Sequence, residues 1–159
     1  MADFNEAWRL TSVWEGGYVN NLNDPGGETN FGISKKSYPN LNIKALRVED
    51  AKQIYRKDFW NRCKLNQVDS QRIANKIFDI AVNSGTSKAG KMLQEACNIL
   101  GKSLVVDGVI GEKTMQATNS FKYDEAVEKV LIYLRVKYYL ELAENPKRRS
   151  FLFGWLRRA

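Results

Sequence analysis

The sequence predicts an all-α protein with one small β-hairpin, and three observations predict it. Apolar residues recur at three- and four-residue intervals through five segments, which is the period of a helix with one buried face. Signals for extended chain are confined to Tyr18-Val19 and Phe31-Gly32-Ile33, which flank the turn chemistry of Asn23-Asp24-Pro25-Gly26-Gly27. At 43% hydrophobic residues and three prolines, the chain can bury a core and carries few helix breakers.

The first helix starts at Asp3, whose carboxylate can accept from the free N–H groups of the first turn while Glu6 reaches back, a capping-box spacing. Phe4, Ala7, Trp8, Thr11 and Trp14 form its buried face, and Gly16-Gly17 ends it through the left-handed conformation that glycine accepts. Glu15 is then a carboxylate at the negative end of a helix dipole. Together with desolvation by Trp14 and Tyr18, this favours the protonated form that a general acid needs. A solvated surface glutamate is the bland alternative. The hairpin that follows folds Asp24 and Thr29 back towards Glu15. Two carboxylates across a cleft, with a hydroxyl to orient a water, is the arrangement of inverting glycoside hydrolysis. Asp24 as a loop-shaping Asx-turn residue is the alternative there.

Beyond the hairpin, Ser34 to Tyr38 reads as a short helix stopped by Pro39. Val48 to Phe59 reads as a helix with Ala51, Ile54, Tyr55 and Phe59 inward. Asp69 or Ser70 caps another that runs through Ile73, Ile77, Phe78 and Ala81 to Asn83, a residue that either caps the helix or hydrogen-bonds a ligand. Gly85 to Lys91 matches most of a phosphate-loop pattern. Met92 stands where a magnesium-binding hydroxyl is required, and a helix precedes it instead of a strand, so it reads as the start of the next helix, with Ala89, Met92, Leu93, Ala96 and Leu100 inward. Val105 to Thr114 contains a tight glycine turn, Asp107-Gly108 to Gly111, that opens a helix. Asp124 to Leu142 is a long helix burying Val127, Val130, Leu131, Leu134, Tyr138 and Leu142, and Phe151, Leu152, Trp155 and Leu156 form a last apolar segment that docks on the core.

The totals narrow the function. With no histidine, Ser-His-Asp and Cys-His machinery and histidine-ligated metal sites are excluded, leaving acid and base chemistry to carboxylates or to perturbed Lys, Tyr or Cys. No calcium-loop pattern appears, and neither a metal nor a cofactor is expected. Cys63 and Cys97 read as buried apolar residues, with a disulfide left open. The net charge of +7 implies an anionic partner or surface, for which nucleic acid, cell-wall polymer and lipid head groups all qualify, and its spread over several helices favours general attraction over groove reading. The longest apolar run, Val130 to Leu134, is too short to span a membrane, and Met1-Ala2-Asp3 lacks a secretory leader.

The stretch Glu15 to Tyr18, Asn23 to Thr29 and Gly32-Ile33 resembles the catalytic motif of glycoside hydrolase family 108, the N-acetylmuramidases and phage endolysins. Phe78 to Gly85 and Gly154 to Arg158 are also similar to the family. The turn at Val105 to Thr114 resembles that of peptidoglycan-binding modules. The order Glu15, Asp24, Thr29 is similar to the triad of phage-type lysozymes, with the same eight residues between the carboxylates and one residue fewer before the threonine.

The resemblance implies a lysozyme-like helical fold, a catalytic region over 1–86 and a peptidoglycan-binding-like region over 87–159 in one compact unit. It implies Glu15 as general acid, with Asp24 and Thr29 completing catalysis and Tyr18, Asn30 and Asn83 meeting sugar. The expected partner is bacterial peptidoglycan, met in the periplasm or cell wall after export or lysis by a monomer. Three other readings stay open: a lytic transglycosylase, which needs one acid; a non-catalytic wall-binding module; and a basic nucleic-acid binder.

Overall fold

The structure, a computed structural model, describes residues 1–20 and 27–159. Among these, seven α-helices surround one core: α1 (Phe4–Ser12), α2 (Val48–Tyr55), α3 (Gln71–Ser84), α4 (Thr86–Ile99), α5 (Glu112–Asn119), α6 (Asp124–Ala143) and α7 (Leu152–Arg158). A two-stranded antiparallel hairpin, β1 (Thr29–Asn30) and β2 (Ile33–Ser34), is the one sheet of the described residues.

Helix α3 is the axis, packing on α1, α4 and α6. Ser70 caps it by accepting from the Ile73 N–H at 3.3 Å, and Ile73, Ala74, Ile77, Phe78, Ile80 and Ala81 are all buried. Phe78 takes Phe4 of α1 edge-on at 5.7 Å and Trp60 at 5.8 Å, the quadrupole-favoured geometry for aromatic pairs. The expected inward residues of α4 and α6 are at least half-buried, and α6 also buries Arg135 and Tyr139.

Several elements differ from expectation. Helix α1 ends at Ser12, capped by Val13 with ordinary helical torsions, so Glu15 lies in a turn beyond the helix, and neither Gly16 nor Gly17 is left-handed. Trp14 is 44% exposed because that turn swings it off the buried face. Asp3 caps the Asn5 and Glu6 N–H groups, but its own N–H goes to Gln71, not to Glu6.

In the hairpin, Phe31 and Gly32 are the turn itself, with φ of 50° and 72°, a two-residue loop with both central residues at positive φ. Val19 pairs with Thr29 by reciprocal 2.8 Å backbone bonds, while Tyr18 is outside the strands. Ser34 to Tyr38 makes turns, not a helix. Helix α2 passes at Arg56 into a π-helical stretch, Arg56–Asn61, a widened turn of the kind found at functional sites.

Cys63 and Cys97 are both buried and free. The final apolar segment is not buried: Phe151 stacks on Trp155 at 5.9 Å, and Trp155 on Tyr139 at 5.5 Å, leaving Phe151 and Leu156 exposed. No helix among the described residues is long and apolar enough to cross a membrane.

Candidate active site

Glu15 reaches its position through backbone bonds on both sides. Its N–H donates to the Ser12 carbonyl at 3.1 Å, and the Gly16 carbonyl accepts from the Phe31 N–H at 3.0 Å, which ties the end of the α1 turn to the hairpin. The side chain lies in a groove of about 510 Å³ whose lining includes Gly32, Tyr38, Tyr55, Asp58, Phe59 and Arg62. The widened π turn supplies Asp58 and Phe59 to this wall.

Contact between Glu15 and the hairpin is close. A Cβ added to Gly32 would collide with Glu15 Oε2 and sit 2.5 Å from the Tyr55 hydroxyl, so only glycine fits that turn position. Tyr55 donates its hydroxyl to the Phe31 carbonyl at 2.9 Å. Burial, then the neighbouring Glu15 charge, pushes the Tyr55 phenol far above its usual range, so it stays a donor. Tyr38 donates to Asp58 Oδ2 at 2.7 Å; burial first, and then this bond, raises its phenol likewise.

On its other side Glu15 meets a chain of buried charges. Arg158 Nη2 is 2.9 Å from Glu15 Oε1, and the two side chains are only 10% and 15% exposed. The same guanidinium donates from Nε to Asp79 Oδ1 at 3.0 Å, with Nη2 also 2.9 Å from that oxygen. Asp79 Oδ2 pairs with Arg135 Nη1 at 2.6 Å. Arg135 Nε donates to the Tyr139 hydroxyl at 2.7 Å, which in turn donates to Asn83 Oδ1 at 2.6 Å. Burial works against the charge of Arg158, but Asp79 and then Glu15 more than offset it and raise its pKa. A larger cavity of about 660 Å³ lies behind Asp79 and Arg158, between α1, α3 and α6, and does not include Glu15. The smaller groove therefore holds the carboxylate.

The residues expected to act with Glu15 are distributed unevenly. Asp24 lies outside the described residues. Thr29 is half-buried in β1 and its hydroxyl donates to the Gly27 carbonyl at 3.5 Å. Tyr18 is exposed and donates to Glu28 at 3.0 Å. Asn30 is buried, its amide donating to the Ile43 and Leu46 carbonyls at 3.2 and 3.4 Å, which braces the hairpin on the loop before α2. Asn83 is the penultimate residue of α3 and accepts from Tyr139.

Arg158, itself held by Asp79 and Arg135, carries the side-chain contact to Glu15, and Tyr55 braces the hairpin turn beside it; periodicity did not single these residues out for such a role. The groove adjoins a smaller cavity of about 280 Å³ that shares Arg62 and Thr86 with it and is walled by Asp107 to Ile110. That turn is tied down by Asp107 Oδ1, which accepts from the Val109 N–H and Gln94 Nε2, both at 2.8 Å, while Gln94 Oε1 accepts from Gly108.

Among the described residues, seven helices, a short hairpin and an acid just beyond the first helix define a lysozyme-like all-α protein. Residues 8–85 belong to the family described as glycosyl hydrolase 108, and residues 88–159 to the one described as predicted peptidoglycan domain. The chain is similar over 97% of its length, and 95% of the other's, to the solved structure of Brucella abortus SagA, with 26% sequence identity and a TM-score of 0.72. No curated protein matches it. The chain thus pairs a glycoside hydrolase region with a peptidoglycan-directed one.

Proposed function

We propose that this chain is an N-acetylmuramidase, hydrolysing the β-1,4 bond between N-acetylmuramic acid and N-acetylglucosamine with Glu15 as general acid. The observation that carries the reading is the setting of Glu15: largely buried in an open groove, braced through Oε1, and with Oε2 against Gly32 in the groove lining.

Glu15 protonates the leaving glycosidic oxygen as the bond to the anomeric carbon breaks. Asp24, with Thr29, orients or activates the water that attacks from the opposite face. Tyr18 and Asn83 contact sugar. The net charge of +7 draws the protein, acting as a monomer in the periplasm or wall, to anionic wall polymer.

The test is clearing of purified peptidoglycan by wild type and Glu15→Gln, with mass analysis of the products. Reducing-end muropeptides from wild type and an activity loss of about 10²-fold or more in the variant are expected. Anhydro-sugar ends would assign a lytic transglycosylase, and an equally inert pair that sediments with the wall would leave a binding module.

A further inference from the structure

We propose that Arg158 is a positioning residue for the general acid, fixing the acidic proton of Glu15 on the oxygen that faces the groove. The proposal rests on the assignment of Glu15 above. It makes a residue of the peptidoglycan-directed region a working part of the hydrolase site.

The geometry points to this in three steps. First, Arg158 is rigid: Nε and Nη2 lie on one Asp79 oxygen while Arg135, itself fully buried, holds the other, and Arg135 Nη1 also donates to the Arg158 carbonyl at 3.1 Å. Second, a guanidinium has only N–H groups to offer and no acceptor. With Nη2 2.9 Å from Oε1, a proton on that oxygen would face another donor, so the protonated acid carries it on Oε2. Third, Oε2 is the oxygen in contact with Gly32, in the lining of the groove. A proton there faces bound sugar.

The ionic contact is also deliberately incomplete. Among the described residues, neither Glu15 Oε1 nor Arg158 Nη2 has a well-aligned hydrogen bond, although both atoms are buried. Arg158 therefore orients the carboxylate electrostatically, while its aligned hydrogen bonds run to Asp79 and hold α7 in place. A residue whose role was only to anchor α7 would be satisfied by Asp79 alone.

Arg158→Met keeps the unbranched stem as far as the Nε position and removes the charge and the fork, while Asp79 keeps Arg135 as its partner. Arg158→Lys restores the charge without the fork. The experiment measures kcat and KM of wild type, both variants and Glu15→Gln on a soluble peptidoglycan glycan fragment, with rates normalised to the folded fraction from thermal melts. Arg158→Met is expected to lower kcat by about 10²-fold, the loss that follows a misplacement of about 1 Å, with KM nearly unchanged. Arg158→Lys is expected to recover part of that loss.

A per-folded-molecule kcat equal to wild type in Arg158→Met would overturn the inference and leave Arg158 as an anchor of α7. A raised KM with unchanged kcat would overturn it in favour of a substrate contact. Wild type that releases no sugar ends the muramidase reading and this inference together, whereas active wild type beside an unimpaired Arg158→Met ends this inference alone.

Discussion

Gly32→Ala tests the hairpin's hold on Glu15. Gly32 has φ of +72°, a conformation that costs an alanine about 1–2 kcal/mol. The new Cβ would stand 2.5 Å from the Tyr55 hydroxyl where ordinary contact begins at 3.4 Å, so the tyrosine has to retreat by about 1 Å. Its 2.9 Å bond to the Phe31 carbonyl then breaks, at about 1 kcal/mol. The sum is about 2–3 kcal/mol, which for a chain of this size lowers Tm by roughly 4–12 °C.

The same Cβ collides with Glu15 Oε2 and swings the carboxylate away from its place, so kcat falls by about 10²-fold in the surviving folded protein. The assay pairs a thermal melt with wall clearing corrected for folded fraction. Gly16→Ala is the control, because its Cβ meets nothing within 4 Å among the described residues and its backbone is not left-handed. Gly32→Ala with the Tm and clearing rate of wild type would refute the close packing of Glu15 on this turn.

Other perturbations separate the remaining parts of the fold. Gly90→Ala in α4 gains about 1 kcal/mol on helix propensity, yet its Cβ collides with the Gly108 backbone carbonyl, and overpacking against backbone costs about 1–3 kcal/mol. Denaturant unfolding should find the variant destabilised, and a stabilised one would mean the Asp107 to Gly111 turn does not dock on α4 as described. Asp79→Asn leaves buried Arg135 without its carboxylate and Arg158 with Glu15 alone, a loss of about 3–5 kcal/mol that calorimetry should register and that a surface aspartate would not show. Burial pushes the Cys63 thiol up to about 12 and Cys97 upward as well, so native protein at pH 8 should resist a thiol reagent that labels both after unfolding. The folded state holds the Cys63 proton more tightly than the unfolded one. That contribution to stability is therefore complete below an unfolded pKa of about 8.5 and declines as the pH rises from there towards 12, a slope that Cys63→Ala should reduce in alkaline melts.

The helical architecture was legible because its signal is local. Ile73, Ile77 and Ala81, or Val127, Leu131 and Leu134, reveal a buried stripe from spacing alone, and Ser70 announces its helix by a hydroxyl in the right place. Glu15 was legible through the motif around it. Its surroundings were not, because they are tertiary. The exposure of Trp14 depends on where α1 stops, and the turn at Phe31-Gly32 places a bulky residue at positive φ, which turn chemistry would assign to a smaller one. The same holds for the final segment, whose apolar residues suggested burial while its arginine makes the deep contact.

Arg135 shows why the charged network escaped a reading by periodicity, and which cue was available. An arginine between apolar helix residues is ordinarily read as snorkelling to water, and the two other cations of α6, Lys129 and Lys137, do face solvent. Yet Leu131, Arg135 and Tyr139 succeed one another at four-residue intervals, so Arg135 stands within the buried stripe and not beside it. An arginine in such a stripe requires a buried carboxylate to offset its desolvation, and Asp79, directly after the core residue Phe78 and before Ile80, is the acid whose neighbours lie deepest. Pairing these two predicts a charged site inside the helical core. One arginine is enough to neutralise Asp79, so the arrival of a second, Arg158, leaves positive charge to spare, and Glu15 is the carboxylate that the fold sets against it.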